Sequence, residues 1–324
     1  MVENSKQFYI NIEDKPYWNP SKPYDQQSRD AKQFMVEEAK KLKKGLNING
    51  VKIHPWLYWH VNFWNMMVDK KVEGNPLPIS VPEVAHLRDN EWLLQQSLIR
   101  SEELNKGIIG FGARRLGKSG FISSFTAFNA TTIYGGELRV DSIVGGSQED
   151  LDNITSYIDF GLDKIHPFFK MDKVGKDWSK GVTLGTRNVD NTKEIYSTIT
   201  VTNINKGAIS SSQKTAGATP KSSIWDEIGK FSFMKAFNAF KYSIATQYGW
   251  RTTPLLFGCL TENNKVWTAN GDLISIKDLK ASDGIIGFDR NDGEFSVEPI
   301  THQQNNYKKR CIKITTNTGK SVEC

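Results

Sequence analysis

The sequence predicts an α/β fold, a mostly parallel sheet with flanking helices, and three observations predict it. An apolar pair, Ile108-Ile109, runs into a glycine-bearing turn and then a helix-compatible stretch from Phe121. A second strand candidate at 137–144 turns through Gly145-Gly146 into another helix-compatible stretch. Ser222-Ser-Ile-Trp-Asp226-Glu227 is a short strand ending in two carboxylates. Repeated strand–turn–helix units bury both sheet faces under helices, which is the α/β pattern.

Composition sets the limits. The chain has 324 residues, enough for two domains, and its 38% hydrophobic and 24% charged content excludes disordered, collagenous and disulfide-framed classes. A net charge of +6 suits a phosphate-bearing partner. Three cysteines, Cys259, Cys311 and Cys324, argue against a disulfide scaffold and for a reducing compartment. No apolar run reaches transmembrane length and the start is not a signal peptide, so the chain reads as soluble and intracellular.

In order, residues 1–30 read as an irregular arm. Residues 27–44 form an amphipathic helix stopped by Gly45, with Phe34, Met35, Ala39 and Leu42 on its apolar side. Lys40, Lys41, Lys43 and Lys44 form either a solvated face or a DNA-facing one. Asn49-Gly50 is a turn signal. The aromatic run around Trp56, Trp59, Phe63 and Trp64 is a core element or a binding face. His54 and His60 lack metal-ligand spacing and read as structural. A helix from His86 to Leu104 places Trp92, Leu93, Leu94, Leu98 and Ile99 on its apolar side. Ser147, with Asp150 three residues on, caps the helix after the second strand. Val182-Thr-Leu184 and 195–201 are short strands, the second with Ile195, Ile199 and Val201 on one side. Residues 206–220 form a small, polar loop. A helix over 230–241 buries Phe233, Ala236, Phe237 and Phe240, and 252–258 is an apolar strand.

The chemistry concentrates in Gly112-Ala-Arg-Arg-Leu-Gly-Lys-Ser119, which matches G-x-x-x-x-G-K-[ST], the phosphate-binding loop. Glycines let successive N–H groups curl inward around an anion, and a following helix adds its positive end. This assigns nucleotide binding to Gly112, Ala113, Arg114, Arg115, Leu116, Gly117, Lys118 and Ser119. Lys118 reaches the β- and γ-phosphates and the Ser119 hydroxyl takes Mg²⁺. In Asp226-Glu227, Asp226 holds Mg²⁺ and Glu227 orients and deprotonates the attacking water. Neighbours in a strand point to opposite sides, so the two carboxylates can share a site only where the strand ends and turns. The cofactors expected are ATP and Mg²⁺.

Residues from about 40 to 258 resemble the large terminase subunit of tailed bacteriophages, the motor that packages viral DNA. The likeness rests on Gly50-Val-Lys-Ile-His-Pro-Trp-Leu-Tyr-Trp-His-Val-Asn-Phe63, His86-Leu-Arg-Asp-Asn-Glu91, the arginine-bearing phosphate loop, Trp225-Asp-Glu227 and Thr253-Pro-Leu-Leu-Phe-Gly258. It implies an ASCE-type P-loop NTPase sheet, with Arg114 acting in cis on the γ-phosphate and Arg115 either its substitute or a solvated neighbour. It implies viral double-stranded DNA, a small terminase subunit, a portal protein and further copies of the chain as partners, in the cytoplasm of an infected bacterium. The other readings of the loop are a helicase-like motor and a catalytically dead nucleotide- or DNA-binding module.

After Gly258 the texture changes. The segment from Cys259 through Val266, Gly271, Ile276, Leu279 and Asp283, and then 311–323, is similar to the start of an intein, a self-excising Hint domain. In that family the leading cysteine, here Cys259, attacks the preceding carbonyl to give a thioester. The Thr-x-x-His motif and the terminal His-Asn pair would follow Cys324. The expectation is therefore the N-terminal piece of a split or shortened gene, unable to splice without a C-terminal half. The expected domains are a helical and aromatic lead subdomain (1–100), the ATPase domain (101–258) and a small partial all-β unit (259–324).

Overall fold

The computed structural model describes residues 18–19, 21–22, 24–70, 79–111, 117–132, 139–177, 181–187, 193–204, 220–228, 236–237, 240, 244–246, 249–250, 254–258, 265–268, 270–275, 278–280, 285–288, 295–298, 313–315 and 321–323. Helix α1 is Arg29–Lys44. Ser28 caps it by accepting from the Ala31 N–H, and Gly45 ends it at φ 73°. Met35 and Leu42 are buried, while Phe34 and Ala39 are half-buried. Strands β1 (Leu46–Ile48) and β2 (Val51–Ile53) pair as a hairpin across Asn49-Gly50, both at positive φ. Asn-Gly supplies the two left-handed residues that a two-residue hairpin loop requires.

Helix α2 (Pro55–Phe63) starts at Pro55 and is capped by His54 Nδ1, which accepts from the Trp56 N–H. It is followed by β3 (Asn65–Lys70), β4 (Ile79–Val84) and α3 (Asp89–Leu104). Residues 56–64 are all buried, which answers the aromatic run with core. Trp56 donates its indole N–H to Ser124 Oγ at 3.0 Å and meets Phe121 edge-on, and Trp59 stacks on Trp64. The Trp64 ring lies over the bare α-carbon of Gly161, where a β-carbon would come within 1.9 Å of it. On α3, Leu98 and Ile99 are buried and Trp92 and Leu94 half-buried, but Leu93 is 63% exposed. Leu93 falls one step off the stripe that faces α2, so its place on the apolar side is corrected.

The central sheet begins with β5 (Ile108–Phe111), followed by α4 (Lys118–Thr131), β6 (Arg139–Gly145) and α5 (Gln148–Lys164). Ser147 caps α5 as expected, accepting from the Asp150 N–H and donating to its carboxylate at 2.6 Å. Then come β7 (Asp172–Asp177), β8 (Gly181–Arg187), β9 (Lys193–Asn203) and β10 (Ser222–Asp226). The short pair β11 (Ala245–Thr246) and β12 (Gly249–Trp250) precedes β13 (Pro254–Gly258).

Among the described residues seven strands join in the order β5-β13-β10-β6-β9-β8-β7; the first five are parallel, β8 runs against them and β7 is antiparallel to β8. Alternate residues face opposite sides. Ile143, Ile224, Leu255 and Phe257 join the core under α4 and the tryptophans, while Val144, Trp225 and Leu256 form a second cluster with Ala236, Phe240 and Ile244. Phe237 packs against that cluster half-buried, and Phe233 lies outside the described residues. Ile199 and Val201 are buried as predicted, but Ile195 is exposed. A bulge lets β8 step from Ser197 to Ile195, which breaks the alternation there.

Two serines stand in β10, a strand buried along its whole length, where aliphatic residues are the usual occupants. Ser222 donates to buried Asp141 at 2.6 Å, and Ser223 accepts from the Trp225 indole at 2.9 Å, so both satisfy buried polar partners. Beyond β13 lie three antiparallel hairpins: β14 (Lys265–Trp267) with β15 (Leu273–Ser275), β16 (Ile285–Phe288) with β17 (Phe295–Glu298), and β18 (Lys313–Thr315) with β19 (Ser321–Glu323). Among the described residues no helix is long and apolar enough to cross a membrane.

Candidate functional site

The parallel strands β5, β13, β10 and β6 all end on one edge of the sheet, where ligands of open α/β sheets bind. Helix α4 starts at this edge. Its cap, Gly117, has φ 79°, a left-handed turn that glycine makes at no steric cost. Gly112, Ala113, Arg114, Arg115 and Leu116 lie outside the described residues, so the described part of the loop is Gly117, Lys118 and Ser119.

Lys118 faces the two carboxylates at the end of β10. Asp226 is the last residue of β10 and points to the α4 side, the same side as Ile224. Glu227 adopts φ 52°. This left-handed step ends the strand and turns the second carboxylate back, so two consecutive acidic residues face one cation. Lys118 Nζ donates to Glu227 Oε1 and lies 3.0 Å from Asp226 Oδ1. The pair can share the site because the strand stops there, as the sequence required.

Electrostatics follow from burial. Burial pulls the Lys118 ammonium down, but the Asp226 and Glu227 carboxylates outweigh it and hold it above its ordinary value. Burial pushes Asp226 up, with Lys118 opposing and the charges of Glu227 and Asp150 adding to the rise. Asp226 is 3% exposed, and the Lys118 ammonium 3.0 Å from its Oδ1 is its charge partner. A buried carboxylate at the end of β10 and a serine hydroxyl in the first turn of α4 are hard oxygen donors, the kind that suit a magnesium ion completed by phosphates and water. Among the described residues, no cluster of three or more His, Cys, Asp or Glu side chains could hold a metal alone.

Cys259 lies outside the described residues, directly after β13. His54 and His60 are structural: His54 caps α2 and meets Glu102 at 3.1 Å, and buried His60 lies 3.4 Å from Glu91. Sequence reasoning missed Arg88. A β-carbon placed on Gly117 would sit 3.2 Å from Arg88 Nη1. No spacing in the chain ties residue 88 to residue 117, so only the fold brings them together.

The elements define an α/β fold with a mostly parallel sheet. The solved structures similar to it include the large terminase ATPase domain of Thermus phage P74-26 and a point mutant of it. Their identities are 17% and 18%, over 48% of this chain and 59% of theirs, with a TM-score of 0.37. The large terminase of bacteriophage HK97 is similar at 13% identity over 56% of this chain and 35% of its own, with a TM-score of 0.42. The chain thus spans less than two thirds of these proteins. No protein-family model and no curated protein matches it.

Proposed function

We propose that the chain hydrolyses ATP at the edge formed by α4 and β10, as the motor part of a DNA-packaging large terminase subunit. The observation that carries this reading is the Lys118 ammonium held between Asp226 and Glu227 at the carboxyl ends of parallel strands. Triphosphate oxygens would replace the carboxylates as partners of Lys118. Glu227, released from the ammonium, would then orient the attacking water and take its proton. Arg114, or Arg115 in its place, would stabilise charge on the transferring phosphoryl group, and the amides from Gly112 to Ser119 would hold the remaining oxygens. Ser119 and Asp226 would hold Mg²⁺, which would neutralise phosphate charge. The partners are viral double-stranded DNA, a small terminase subunit, a portal protein and further copies of the chain, in the host cytoplasm. The test is nucleotide binding and turnover by the full chain. Lys118→Ala should lose binding, and Glu227→Ala should keep binding but lose turnover by at least about a hundredfold. Undiminished turnover in both variants refutes the assignment.

Residues 259–324 are proposed to be the N-terminal part of an intein. The short antiparallel hairpins after β13 and the glycine before Cys259 support this. The Cys259 thiolate would attack the Gly258 carbonyl carbon. The 258–259 C–N bond breaks, the amine takes a proton, and a thioester links the two parts. Added thiol should then release a fragment ending at Gly258, and Cys259→Ala should release none. Equal cleavage of both chains would rule this out.

A further inference from the structure

We infer that Arg88 is a phosphate-contacting residue of the nucleotide site, delivered from outside the loop by the start of α3. The inference rests on the nucleotide reading above. Arg88 is the N-cap residue of α3, and its side chain is exposed. Its guanidinium lies against the α-carbon of Gly117, so close that a β-carbon there would be 3.2 Å from Nη1. Gly117 precedes Lys118, which places a second cation beside the one that faces Asp226 and Glu227.

The backbone that carries Arg88 is fixed from within the core. Glu91 is buried; its Oε2 accepts the Arg88 N–H at 2.8 Å, and its Oε1 faces buried His60 at 3.4 Å. The root of the side chain is therefore anchored, and its charged end reaches Gly117 at the start of α4. A planar fork of N–H donors against the helix start that carries Lys118 suits phosphate oxygens, which guanidinium binds in bidentate fashion. The open face of Gly117 is then explained twice: by its left-handed turn and by the space Arg88 occupies.

The experiment measures equilibrium binding of fluorescent ATP, ADP and AMP analogues to the full chain, with melting temperature as a control. Arg88→Ala should weaken ATP binding about tenfold and AMP binding little. Arg88→Lys should recover part of the loss. Arg88→Gln keeps a polar, partly extended side chain without the charge and guards against a folding defect; it should bind like Arg88→Ala with an unchanged melting temperature. If wild type binds ATP, Lys118→Ala does not, and both Arg88→Ala and Arg88→Gln bind like wild type, the inference alone is overturned. If wild type binds no nucleotide, the nucleotide reading fails and takes the inference with it.

Discussion

Two buried carboxylates, one between α1 and α2 and the other at the end of β10, are treated in opposite ways. Glu38 is 1% exposed and fully answered: the Tyr58 hydroxyl donates to Oε2 and the Lys41 ammonium to Oε1, each at 2.5 Å. Burial, with Glu38 as neighbour, pushes the Tyr58 phenol well above its ordinary range, so it remains a donor. Asp226 is almost as buried, but it shares its one cation, Lys118, with Glu227, which sits in a left-handed conformation. A buried carboxylate with two donors of its own joins two helices. Two carboxylates sharing one ammonium next to an unusual backbone mark a place where stability is given up for chemistry.

That contrast can be broken by paired measurements of stability. Glu38→Ala removes two charge-assisted bonds and strands a buried hydroxyl, so it should cost about 3 kcal/mol by denaturant titration. Asp226→Asn should lie within about 1 kcal/mol of wild type, or above it, while turnover is lost. A penalty at Asp226 as large as that at Glu38 would show that both carboxylates are structural.

A third carboxylate sharpens the comparison with a smaller effect. Asp159 on α5 pairs with Lys173 and Lys176 of β7 at 2.5 and 2.7 Å. Burial alone would raise it, but the two ammonium groups win and hold it below its ordinary value. A depressed carboxylate contributes stability above its unfolded value, and that stability is lost as pH falls through the folded one. Asp159→Asn should therefore cost about 1 kcal/mol at pH 7 and progressively less below about pH 4. A cost that does not change with pH would mean that packing, not charge, holds α5 to β7.

Local signals were legible because they are chemical. Gly45 ends α1, Asn49-Gly50 makes the hairpin after it, Ser147 caps α5, and Asp226-Glu227 ends β10. That the acidic end of β10 would lie near the start of α4 was legible too, although the sequence assigned Lys118 to phosphates and not to the two carboxylates it meets. Long-range facts were not. Nothing local says that β13 lies between β5 and β10, that Trp64 rests on Gly161, or that Arg88 touches Gly117. Ser222 and Ser223 looked like a departure from a strand because their partners, Asp141 and the Trp225 indole, are visible only in the folded chain. Leu93 and Ile195 were misplaced where a periodic pattern shifts, at the edge of a helix stripe and at a bulge.

The strand order has a consequence for synthesis. Strand β13 separates the strand leading into the phosphate loop from the strand carrying the acidic pair, yet it is made after both. A nascent chain that has emerged only through residue 230 already holds Lys118, Asp226 and Glu227 but lacks the spacer that sets them apart. Closure of the site must wait until Gly258 has cleared the ribosome, so the last element to arrive decides when the first can work.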